Sequence, residues 1–175
     1  MNRETQLETY LEALTANPND LSAVARLSQV YESDIPALVR ELSSRAEDAG
    51  DDDLTGRLLL ESGILSMLVL GDTERTGVFL DRAATASEDE NLQVEARLFL
   101  LAHMDKVEEL FALFGEQVED PSDESHQSRL YYQMGRLLEY LFEDLHEAQS
   151  AYSWSAQLGG HQTPALWGLQ SGDRR

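Results

Sequence analysis

The sequence contains no cysteine, which removes disulfide frameworks, thiolate metal sites and cysteine nucleophiles from consideration. Cations are scarce as well: 13 Lys plus Arg stand against 33 Asp plus Glu, a formal net charge of −20 at pH 7. Neutralising phosphates requires a basic stripe, and no window of the chain has one, so nucleic acid is not an expected partner. The same sign disfavours anionic membrane surfaces and favours a protein or peptide partner that is itself basic, through an attraction that salt weakens.

Long apolar runs are missing too. The longest stretch, Leu58 to Leu70, is interrupted by Glu61, Ser62, Gly63 and Ser66, well short of the ~20 residues a membrane span needs. Met1-Asn2-Arg3-Glu4-Thr5 leads straight into an amphipathic pattern with no apolar signal core, so a soluble cytoplasmic protein is expected. Nucleophile elbows, phosphate-binding glycine loops and dinucleotide fingerprints are absent. His103, His126, His146 and His161 include no pair at i, i+3 or i+4, which gives no metal-ligating helix face. The acidic clusters Asp51 to Asp53, Glu88 to Glu90 and Glu119 to Glu124 lack the alternating ligands and central glycine of a calcium loop, and read as solvated turns and helix caps. No cofactor and no catalytic residue are expected, and the chain reads as a non-enzyme.

What is abundant is helical periodicity. With only 4 prolines and almost no alternating β-branched segments, an all-α fold of about nine to ten helices is expected. Leu7, Tyr10, Leu11 and Leu14 mark a cap helix over 3–16 that ends at the Asn17-Pro18-Asn19-Asp20 turn. Helix pairs follow over 20–49, 53–86, 90–119 and 122–158, with a partial final helix at 162–170, all within one domain spanning 1–175. Tyr131, Tyr132, Trp154 and Trp167 are expected to pack between helices.

These helices repeat. Ala25-Arg26-Leu27 recurs as Ala96-Arg97-Leu98, at an interval of 71 residues (96 − 25). Arg57-Leu58 recurs as Arg129-Leu130 at 72 (129 − 57), followed at that same interval by Gly63 and Gly135, Asp72 and Asp144, and Ala84 and Ala156. A four-helix unit is thus present twice, and Ala165 and Leu169 look like the opening of a third copy.

The segment Leu130-Tyr131-Tyr132-Gln133-Met134-Gly135-Arg136-Leu137-Leu138, followed by Asp144, Ala148, Tyr152 and Ala156, resembles a tetratricopeptide repeat, and Gly63, Thr76, Leu80 and Ala84 repeat the arrangement less faithfully. In that family a glycine on the first helix lets the second approach closely, and alanine and aromatic residues fill the gap. The chain departs from the pattern in its longer Gly135 to Ala148 spacing, in Gly159-Gly160 replacing the usual closing proline, and in the first and third pairs, which lack the small residue. The resemblance implies a right-handed α-solenoid of antiparallel helix pairs and a non-catalytic scaffold whose concave groove holds a partner peptide or helix. Two other readings stand beside it: a structural spacer within a longer array, and a helical-bundle enzyme or ligand-binding domain.

By that resemblance Arg129, Tyr132, Arg136, Glu139 and Tyr140 are expected to face the groove, as are Arg57, Leu60, Ile64 and Met67 in the earlier copy. Arg129 and Arg136 at i, i+7 could fork a partner carboxylate, or these arginines pair with acids of the chain itself.

Overall fold

Aspartates open most of the helices, which gives part of the negative charge a structural role. In the computed structural model, which describes residues 2–120 and 123–159, nine α-helices and no strand are found among the described residues. Asn2 caps α1 (Arg3–Ala16), Asp20 caps α2 (Leu21–Val30), Asp34 caps α3 (Ile35–Asp48) and Asp51 caps α4 (Asp52–Leu65). Asp72 caps α5 (Thr73–Ala86), Asp89 caps α6 (Glu90–His103) and Asp123 caps α8 (Glu124–Tyr140). The remaining helices are α7 (Val107–Val118) and α9 (Leu145–Gly159), the latter opened by Asp144 Oδ1, which accepts from the Glu147 amide at 3.1 Å. Each of these caps satisfies an otherwise orphaned N–H, and each aspartate among them also sets an anion at the positive end of the helix dipole.

The chain divides into two compact units, Met1–Leu110 and Phe111–Arg175. In the first, successive helices pack as neighbours: α1 with α2, α3 with α4, α4 with α5 and α5 with α6. Helix α4 lies at the centre, with every residue from Gly56 to Leu65 buried. It continues into one π-helical segment, Ser66–Leu70, closed by Gly71 at φ 64°. In the second unit α8 packs along α9. The expected pair over 90–119 comprises α6, which lies in the first unit, and α7, which runs through the division after Leu110. The expected final helix, 162–170, and Trp167 lie outside the described residues.

The repeat seen in the sequence is repeated in the contacts. A Cβ added to Gly63 would lie 2.7 Å from Leu80 Cδ2, and one added to Gly135 would lie 2.6 Å from Tyr152 Cε1, so both glycines are needed for close helix approach. The corresponding members of the two contacts are separated by 72 residues (135 − 63 and 152 − 80). The caps keep the same interval, since Asp51 accepts from Leu54 N at 2.8 Å and Asp123 from His126 N at 2.9 Å. Thr76 and Ala148, again 72 apart (148 − 76), are both buried where the second helix meets the first.

Candidate partner-binding surface

The expected groove residues of the first unit are interior instead. Arg57, Leu60 and Ile64 have no exposed surface, and only Met67 is half-buried. Arg57 forms a two-armed ion pair with Glu95 on α6, Nη1 to Oε1 at 2.9 Å and Nη2 to Oε2 at 2.8 Å. Its Nε donates to the Pro18 carbonyl at 2.9 Å and Nη2 also to Asn19 Oδ1 at 3.0 Å. Burial alone would lower the guanidinium pKa, but the facing Glu95 carboxylate outweighs it and raises the value, so Arg57 stays charged. The correction has a legible cause. Leu58, Leu59, Leu60, Ile64 and Leu65 are apolar on every side of α4, the mark of a helix enclosed all round rather than of a groove wall.

The second unit differs from expectation in the same sense. Arg129, Tyr132, Arg136 and Glu139 are all buried, and Tyr140 is half-buried. Arg129 Nη1 donates to Ser125 Oγ at 2.8 Å. Arg136 Nη1 donates to Gln133 Oε1 at 3.3 Å, and its guanidinium lies 5.6 Å from the Tyr132 ring centroid, within cation–π range. Tyr152 O–H donates to Glu139 Oε2 at 2.7 Å, and its phenol is pushed well above the usual range, first by burial and then by the Glu139 charge. Arg129 and Arg136 therefore belong to a buried polar layer on α8 and do not form a carboxylate fork open to solvent.

Concave features offer little chemistry. The void beside Arg57 and Glu61, otherwise walled mainly by leucines, measures about 10 Å³, at the threshold for a single water. A wider open cleft is lined by Gly50, Asp51, Asp52, Asp53, Glu88 and Asp89. Asp51 and Asp89 cap helices there, and Asp53 accepts from Ser87 Oγ. No group of three or more His, Cys, Asp or Glu among the described residues is placed to hold a metal ion. No helix among them is long and apolar enough to cross a membrane.

What the second unit does expose is aromatic. Phe111 on α7 is 44% exposed, and Trp154 on α9, which packs on Tyr131 of α8 as expected, still leaves 53% of its surface exposed. Phe111 meets Phe142 at a ring-centroid distance of 5.9 Å, Phe114 meets Tyr131 edge-on at 5.3 Å, and Tyr131 stacks with Trp154 at 6.3 Å. These spacings are those of favourable aromatic pairs. Comparison with protein-family models, curated proteins and solved structures finds no match.

The sequence expectations do not include this face, yet the composition of α7 carries a signal for it. Helix α7 carries Val107, Leu110, Phe111, Leu113, Phe114 and Val118, more apolar side chains than one narrow buried stripe accommodates, and only Leu110 is buried. A helix so apolar with so little of it buried leaves apolar surface in water.

Proposed function

We propose that the chain is a non-catalytic protein-interaction module, a tetratricopeptide-like right-handed α-solenoid that presents a preformed surface to a partner. The observation that carries the reading is the exposed aromatic face of the second unit, held on a hairpin whose own interior is filled. Apolar surface of this kind on a stable helical framework is characteristic of a recognition site, and a framework ordered in advance adds little entropic cost to binding. The recurrence of the Gly63–Leu80 contact as Gly135–Tyr152 supports the repeat architecture.

The test is capture followed by reconstitution. The purified chain is cross-linked in extract at ~0.15 M salt, and each recovered protein is titrated as a purified component by calorimetry. Saturable one-to-one binding in about the micromolar range is expected for at least one. Failure of every purified candidate to bind saturably overturns the reading.

A further inference from the structure

Resting on the interaction-module reading, the surface of the second unit also specifies the chemistry of what docks there. Its rings are preorganised by contact with one another, and Leu141, the residue before Phe142 in the chain, is 42% exposed. Next to Phe142 in the chain stands the exposed Glu143, and Glu147 lies two turns before Trp154 on the same face of α9. Between residues 107 and 159 the described surface exposes no lysine or arginine, because Arg129 and Arg136, the basic residues of that segment, are buried. Within that segment the face therefore pairs an apolar centre with acidic charge alone, the exposed Lys106 standing just before it in the chain.

We infer that the aromatic face of Phe111, Phe114, Tyr131, Phe142 and Trp154 docks a cationic amphipathic helix of a partner protein, its apolar side on the rings and its lysines or arginines toward the surrounding carboxylates. Charge complementarity selects this occupant. A second copy of the chain would bring another net −20 to the interface, and an acidic partner would meet like charge at the rim. An amphipathic helix supplies apolar anchors at i, i+3, i+4 and i+7, which suits a patch of rings lying across three helices.

The test uses a synthetic peptide of about 18 residues, five turns of helix, with leucines at those positions and lysines elsewhere. Two comparison peptides share its length: one with glutamate in place of lysine, and one of scrambled order. Binding is followed by calorimetry at low and high salt. Tight saturable binding of the leucine–lysine peptide is expected. It should weaken at least tenfold for the scrambled peptide and for the Phe111→Ser/Trp154→Ser chain, whose circular dichroism and melting midpoint are checked against wild type. The Glu143→Lys/Glu147→Lys chain keeps the rings and should shift preference toward the glutamate peptide.

Equal binding by the serine variant or by the scrambled peptide overturns the inference. So does a wild-type dimer in sedimentation that the serine variant abolishes, which would assign the face to a second copy. Peptide binding that emerges only when residues 160–175 are removed would assign it to the chain's own end and equally overturn it. A captured partner whose affinity ignores the serine variant removes this docking site while leaving the module reading standing.

Discussion

Gly71 and Glu143 hold the same left-handed backbone conformation, at φ 64° and 56°, in equivalent places of the two copies. Each is followed by the same hydrogen bond, Asp72 N to Ser66 O at 2.9 Å and Asp144 N to Leu138 O at 2.8 Å. The first copy meets this requirement with a residue that has no Cβ, and the second places a glutamate there, at a steric cost of about 1 kcal/mol. Glu143→Gly is accordingly expected to raise the unfolding free energy by about 1 kcal/mol, read as a higher urea midpoint, and Gly71→Ala to lower it. Equal and small effects of both changes would remove the equivalence.

Alanine at two other glycines should have opposite signs. Gly135→Ala drives a methyl into the Tyr152 ring, which the hydrogen bond to Glu139 holds in place, and about 1–3 kcal/mol of stability should be lost. Gly115, within α7, has nothing within 4 Å of an added Cβ, so Gly115→Ala should gain up to about 1 kcal/mol from helix propensity. Chemical denaturation of both variants checks the contrast.

Arg57 and Glu95 form a buried pair, and removing either partner strands the other charge away from water. Arg57→Met or Glu95→Leu alone should each destabilise by about 3–5 kcal/mol, while the double replacement should lose much less than the sum. Additive losses across the double-mutant cycle would show that the pair acts through separate contacts.

Two buried serines should also diverge. Ser66 Oγ has no hydrogen-bond partner, so Ser66→Ala should be neutral or stabilising by about 1 kcal/mol. Ser128 Oγ donates to the Ser155 carbonyl at 2.8 Å, and Ser128→Ala should destabilise by about 1 kcal/mol. Thermal midpoints measured side by side decide the matter.

Tyr152 makes stability depend on alkaline pH. Its folded pKa is raised well above 10.0, so the phenol ionises first in the unfolded chain. Its contribution is therefore whole below about pH 10 and declines as pH rises beyond that value toward the folded pKa. The stability gap between wild type and Tyr152→Phe should narrow as pH rises above about 10, whereas parallel curves would refute the shift.

The helices and the repeat were legible because local rules dictate them. Aspartate caps, helical spacing of leucines and the recurring glycines are all properties of short segments, and they placed most helix ends correctly. Which helix faces lie open was not legible, because which side of a helix faces water depends on what packs against it. Arg57 looked like a surface residue by type, yet its acid partner lies on another helix, and only the fold brings Glu95 to it. The exposed Phe111 and Trp154 were missed for the converse reason: aromatic residues are normally assigned to the interior, and the ring contacts that leave these at the surface are long-range.

The guanidinium of Arg57 ties Pro18 and Asn19, on the turn between α1 and α2, to Glu95 on α6. That turn cannot loosen by itself without depriving an enclosed cation of two of its oxygen ligands. Solvent deuterium should therefore reach the Asp20 amide, bonded to the Asn17 carbonyl at 3.0 Å, only when the first unit opens as a whole. A surface loop would in this way report the cooperativity of the helices beneath it.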